Sequence, residues 1–105
     1  SLEETYARVS SNSEQKDTVL QQARRALSAI RNHELPAMQR IARRATAQFE
    51  AGEIDRGQWA SARIEELGMQ LAETDAVEQL RDAETALEEA LHRAIEGPEL
   101  EITAP

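Results

Sequence analysis

A single glycine separates two long segments whose apolar residues repeat at helical spacing, and this arrangement constrains the fold more than any other feature. Gly52 lies between a predicted helix over about 18–49 and a second over about 54–96. Glycine adopts the left-handed conformation that ends a helix and turns the chain. We therefore expect an all-α fold, a long antiparallel two-helix hairpin with coiled-coil-like packing and a bend at 50–53.

The apolar positions of the first helix slip by one residue near its middle. Leu20, Ala23, Leu27 and Ile30 follow heptad spacing, which resumes one residue late at Leu35, Met38, Ala42, Ala45 and Phe49. The slip coincides with Pro36, which predicts a kink with the helix continuing through it; a full break is the alternative. Residues 1–17 give the weakest helical signal, typical of a frayed or separately started helix.

The second helix keeps heptad spacing in its later half and ends, on sequence, at a glycine–proline pair. Its apolar residues are Trp59, Ala60, Ile64, Leu67, Leu71, Val77, Leu80, Ala83, Leu87, Ala90, Ala94 and Ile95. Gly68 inside it indicates close backbone approach or mild bending. Gly97-Pro98 predicts the helix end, leaving a tail over 97–105, so that the whole chain forms one helical hairpin.

Folding the chain about Gly52 brings together positions whose numbers sum to about 104. Ile41 is then predicted to meet Ile64, and Leu27 to meet Val77. The two helices also carry opposite charge: six arginines against one acid over 18–49, and twelve acids against four arginines over 53–96. This asymmetry favours antiparallel pairing of the two helices. Because many of the facing positions are alanine, we expect the hairpin to need neighbouring helices.

Several functional classes are disfavoured by the composition. The net charge of −8 argues against a nucleic-acid partner, and the absence of cysteine rules out thiolate chemistry. His33 and His92 are predicted to lie far apart, with His92 in a solvated pair with a glutamate rather than in a metal site. No phosphate loop or nucleophile elbow occurs. We expect no enzymatic activity, no cofactor and no metal.

The arginines of the first helix and Trp59 each allow two interpretations. The arginines of the first helix are interpreted as intramolecular pairs and solvated groups, with a phosphate-binding patch as the alternative. Trp59 is interpreted as part of the packing near the bend, with a partly exposed anchor for a partner as the alternative.

Four landmarks in order resemble the outer-membrane efflux proteins of the TolC type, over about residues 20–98. The segment Gln48–Asp55 with Trp59 and Ala62-Arg63 resembles their aromatic-x-x-Gly bend. Leu35-Pro36 resembles the Leu-Pro step before it. Ala83, Leu87-Glu88 and Ala90-Leu91 resemble the ending of the last helix, and Gly97 resembles the glycine that follows that ending.

The resemblance implies a much larger assembly. Such proteins are trimers, with a β-barrel in the outer membrane of Gram-negative bacteria and a helical barrel in the periplasm. The bend would lie at the periplasmic tip, meeting a periplasmic adaptor (membrane fusion) protein and, through it, an inner-membrane transporter. The chain would be the last helical hairpin, isolated from the membrane strands, with the residues after Gly97 near the C-terminus of the parent protein.

Carried over residue by residue, the resemblance identifies a candidate tip. Phe49 matches the usual tyrosine, Gly52 the bend glycine and Ile54 a variable position, and the charged candidates for contact are Glu53, Asp55 and Arg56. Phenylalanine lacks the hydroxyl that could hydrogen-bond across a closed entrance. Trp59 also departs from the pattern, since an aliphatic residue is commoner there.

Two functions follow as hypotheses. The first is a periplasmic segment of an efflux channel that forms part of the export duct and docks an adaptor in a tripartite pump. The second is a free-standing antiparallel coiled coil, a scaffold or protein-interaction module without a transport role.

Overall fold

The computed structural model describes the backbone of residues 1–103 and the side chains of residues 1–96. The helices are α1 (Leu2–Ala29), α2 (Leu35–Glu50) and α3 (Arg56–Thr103), with a π-helical turn (Ile30–Glu34) between α1 and α2. No strand occurs within residues 1–103. The predicted all-α hairpin is confirmed: two helical arms are joined by one short bend.

The chain divides into two compact units. The bend unit comprises Arg25–Glu78, and the end unit comprises Ser1–Arg24 together with the described residues 79–103. The buried apolar residues of the bend unit are Leu27, Ala42, Ala45, Ala62 and Ala76; those of the end unit are Leu20, Ala83 and Ala90. Alanine dominates both sets. Small side chains allow close helix approach but remove little apolar area from water.

Burial along the first arm follows the predicted heptad positions, here called the seam. Every seam residue named from the sequence between Leu20 and Phe49 is buried or half-buried. Toward the N-terminus the same spacing continues through Val9, Ser13 and Lys16, all half-buried. These residues explain why α1 begins at Leu2, well before the predicted start at about 18. The hydroxyl of Ser1 accepts the Glu4 N–H at 3.3 Å and caps the first turn.

The one-residue slip in the seam is absorbed by the π-helical turn. Within it the Leu35 N–H donates to the Ile30 carbonyl, five residues back, instead of four. The extra residue lets Ile30 and Leu35, which are five positions apart, lie on the same side of the arm. Pro36 follows immediately and lacks the N–H that an α-helical bond would need. The arm therefore continues through the irregularity, and the alternative of a full break is wrong.

Burial along α3 corrects the predicted facing residues. Every position of one unbroken heptad series is half-buried or buried: Trp59, Ala62, Glu66, Met69, Glu73, Ala76, Leu80, Ala83, Leu87, Ala90 and Ala94. The other half-buried residues of α3 within 56–96 each adjoin a position of this series: Ala60, Arg63, Ala72, Val77 and Ala86. Ile64 is 66% exposed and Ile41 is 48% exposed, so the expected contact of these two side chains as a core pair is wrong. The reason is that α3 is one uninterrupted helix. A regular helix cannot move its seam by one position without an inserted residue, and α3 has no π-helical turn.

The predicted helix end at Gly97-Pro98 is also wrong. The backbone of α3 is helical to Thr103, and residues 104 and 105 lie outside the described residues. A proline mainly restricts the residue before it, by a clash with that residue's Cβ. Gly97 has no Cβ, so this clash is absent and the helix continues at the loss of one backbone hydrogen bond.

Candidate functional site: the bend and the groove beside it

The first half of the bend is a Schellman motif. Gly52 has a φ of 76°, in the left-handed region, and its N–H donates to the Phe49 carbonyl at 3.0 Å. The Glu53 N–H donates to the Gln48 carbonyl at 2.8 Å. These two bonds satisfy the carbonyls that the end of α2 would otherwise leave unpaired. The predicted bend glycine therefore has the expected conformational role.

The second half of the bend is a capping box that the sequence interpretation missed. Asp55 Oδ1 accepts the Gln58 N–H at 2.7 Å, and Gln58 Oε1 accepts the Asp55 N–H at 3.0 Å. The signal was present in the spacing Asp-x-x-Gln. Asp55 thus fixes the start of α3, which begins at Arg56 rather than at about 54. Its carboxylate also lies at the positive end of the helix dipole.

Four of the six candidate tip residues present exposed groups, and two are held against the helices. Gly52, Glu53, Asp55 and Arg56 are exposed, whereas Phe49 and Ile54 are half-buried. The hairpin brings all six into one short bend. Its outer surface is consequently charged and its inner surface apolar.

The two aromatic residues that depart from the resembled pattern contact each other. The rings of Phe49 and Trp59 stack with centroids 5.3 Å apart and planes 16° from parallel. The indole N–H of Trp59 donates to Thr46 Oγ1 at 2.9 Å, so its polar group has a partner across the arms. Trp59 is half-buried. This geometry supports packing at the bend rather than an exposed anchor.

A shallow groove of about 550 Å³ lies beside the bend, within the bend unit. Its lining comes from α2, the bend and the start of α3: Ala37, Arg40, Ile41, Arg44, Ala45, Gln48, Ile54, Gln58 and Ala62. We call it the arginine groove, because its lining includes two arginines and no acid. Neither Arg40 nor Arg44 forms an ion pair with the described side chains, 1–96.

The predicted charge pairing of the arms is realised at one position. Arg31 Nε lies 3.0 Å from Glu73 Oε2, with the Arg31 side chain 52% exposed. The residue numbers 31 and 73 add to 104, which is the sum that the predicted pairing of the arms requires. The other five arginines of the range 18–49 make no ion pair with residues 1–96, so the intramolecular interpretation holds for Arg31 and the rest are solvated.

One acid is buried in the seam with its own partner. Glu66 is 8% exposed and forms an ion pair with Arg63, one helical turn away on α3. A buried carboxylate is costly without such a partner. The only basic residue of α3 between 57 and 80 is therefore already paired.

The histidines form no shared site within either unit. His33 lies exposed in the π-helical turn, and His92 Nε2 lies 3.0 Å from Glu96 Oε1, as predicted for a solvated pair. The described residues contain no cluster of three or more His, Cys, Asp or Glu side chains arranged to hold a metal ion. Among the described helices, none combines the length and hydropathy required to cross a bilayer.

Comparisons of the chain with protein-family models, with curated proteins and with solved structures find no match.

Gly52 and Gly68 should respond in opposite directions to substitution by alanine. Gly52→Ala should lower the free energy of unfolding by about 1–2 kcal/mol, because alanine is strained at positive φ. Gly68→Ala should raise it by about 1 kcal/mol, since a Cβ there meets no atom within 4 Å and alanine favours helix. The open space also shows that the expected close backbone approach at Gly68 is wrong. Urea unfolding followed by circular dichroism measures both; equal effects would contradict the assigned roles.

Proposed function

We propose that the chain is a periplasmic helical segment of an outer-membrane efflux channel of the TolC type, with its bend at the adaptor-docking tip. The observation that carries the proposal is the bend itself. A Schellman motif and a capping box close both helix ends, which leaves Glu53 and Arg56 exposed on a short, well-defined turn. A docking surface benefits from such preorganisation, because little conformational entropy is lost on binding.

In this proposal the chain is one hairpin of a homotrimeric parent protein. Its partners are a periplasmic adaptor and, through it, an inner-membrane transporter; only the parent's β-barrel strands would enter the membrane. The role is non-catalytic and requires no cofactor, metal or nucleic acid. The free-standing coiled-coil scaffold is the alternative that the experiments below distinguish.

The aromatic stack bears on how such a tip would close. Phe49 offers no hydroxyl, and its ring is engaged with Trp59. Closure contacts between copies would therefore come from the exposed charges of Glu53, Asp55 and Arg56. Of these, Asp55 is already committed to capping α3.

Replacement of the bend glycine in the full-length parent tests the proposal. Gly52→Val should impair efflux and abolish cross-linking of the adaptor to a cysteine at position 53, because a β-branched residue disfavours positive φ. Most helicity should remain, since the two helices lie outside the bend. Gly68→Ala, a substitution away from the bend, is the matched control and should leave export unchanged. Unchanged export and cross-linking in Gly52→Val would contradict the tip assignment.

The parent sequence supplies a second, independent check. A channel requires alternating, strand-forming segments and a related earlier hairpin before this one. A parent protein without them would favour the scaffold function.

A further inference from the structure

The face of α3 opposite its seam carries a second row of large apolar residues, here called the outer stripe. It consists of Ile64, Leu67 and Leu71, at the same three-then-four spacing as a seam. Their exposed fractions are 66%, 48% and 68%. A helix with one partner normally shows polar residues on this face. The outer stripe therefore marks a surface suited to a second helix contact.

The charges around the outer stripe are negative. Glu65, Asp75 and Glu78 are exposed on the same stretch of α3. The single base there, Arg63, is neutralised by its ion pair with Glu66. A surface that binds the outer stripe should combine apolar area with unpaired positive charge.

The arginine groove has these properties. Ile41 and Ile54 contribute its apolar lining, and Arg40 and Arg44 contribute positive charge without an acid in the lining. Ile41 is 48% exposed, so the groove is accessible within the bend unit. Neither arginine has an ion-pair partner among residues 1–96.

We propose that the outer stripe of one copy of this chain binds in the arginine groove of a second copy. Leu71 and Ile64 would contact the apolar lining, while neighbouring acids of α3 approach Arg40 and Arg44. In this contact the two copies are arranged head-to-tail, which leaves a free groove on one copy and a free stripe on the other. Such a contact builds rings or longer chains. This self-association of the chain requires no transport role.

Analytical ultracentrifugation of the chain over a range of concentrations tests the proposal. Leu71→Glu places a charge in the outer stripe, and Arg44→Glu lowers the net charge of the groove lining from +2 to zero. Both residues are exposed, so folding should persist by circular dichroism. Each change alone should raise the concentration needed for association by about tenfold or more. Thr85→Glu places the same charge on an exposed part of α3 outside both surfaces and should leave association unchanged.

Mixing the two variants gives the decisive result. The Leu71→Glu chain keeps its groove and the Arg44→Glu chain keeps its stripe, so an equimolar mixture should form dimers that stop at two copies. If only Leu71→Glu impairs association, the stripes pack on each other and the groove assignment is wrong. A wild-type chain that remains monomeric up to millimolar concentration would overturn the proposal.

Discussion

Deleting His33 should leave the hairpin folded, although it removes a residue from the middle of a helical arm. The deletion shortens the step from Ile30 to Leu35 to four positions, so the seam of the first arm becomes one continuous heptad series. The π-helical turn is then no longer needed and should convert to α-helix. The remaining cost is Pro36 inside a regular helix, about 3 kcal/mol. Combining the deletion with Pro36→Ala should restore or exceed the stability of the parent chain.

Deleting Arg43 is the matched control, since it also removes one exposed residue of the first arm. This deletion rotates Ala45 and Phe49 off the seam by about 100° relative to Ala42. Both the buried alanine and the stack on Trp59 would be lost. Thermal unfolding by circular dichroism should show a much lower midpoint than for the His33 deletion. Equal midpoints would show that the π-helical turn does not serve to keep the seam in phase.

Leu27→Ala should destabilise the chain far more than the same change at Leu71. Leu27 is 7% exposed and is the single large aliphatic among the buried residues of the described bend unit. Truncation of a buried leucine costs about 2–5 kcal/mol, because apolar contact is lost and a cavity remains. Leu71 is 68% exposed, and truncation there should change the free energy of unfolding by less than about 0.5 kcal/mol.

Urea unfolding at low protein concentration measures both leucine variants without a contribution from association. The comparison is matched, because the two substitutions remove the same atoms and both lie in helices. Similar losses at the two positions would show that the outer stripe is buried in the monomer. A small loss at Leu27 would show that α1 does not depend on packing against the other arm.

The heptad spacing of the first arm could be read directly from the sequence because its large residues coincide with its seam. Leu20, Leu27 and Phe49 all fall on the buried side, and the one-residue slip was visible before the structure showed the π-helical turn. The cause was harder to assign. Pro36 predicted a kink from local chemistry, whereas the backbone responds with a change of helix type that preserves the pairing of the arms.

The second arm was interpreted less accurately for an instructive reason. In the first half of α3 the largest aliphatic residues, Ile64, Leu67 and Leu71, do not lie on the seam, and two seam positions carry Glu66 and Glu73. Side-chain size therefore pointed to the wrong face. Extending the heptad back from Leu80 would have identified the seam, because a regular helix keeps its phase over its whole length.

At the bend, the conformation of Gly52 was predictable from the sequence, whereas the rest of the geometry was predictable only in part. Positive φ at Gly52 follows from the absence of a side chain. The capping role of Asp55 was encoded in its spacing to Gln58 but was not recognised. The stack of Phe49 on Trp59 depends on how the two arms are aligned, which neither residue specifies alone.

The order of residues alone is enough to predict a helical chain that turns at Gly52, and to predict which residues of the first arm face the second. These properties depend on backbone preference and on periodicity, both of which are local. The packing of the two arms sets the rest: the seam of α3 includes Glu66 and Glu73, its outer stripe is apolar, and the groove lined by Arg40 and Arg44 contains no acid. Those features depend on which face each helix turns toward the other, and that choice results from packing the whole arm in one phase.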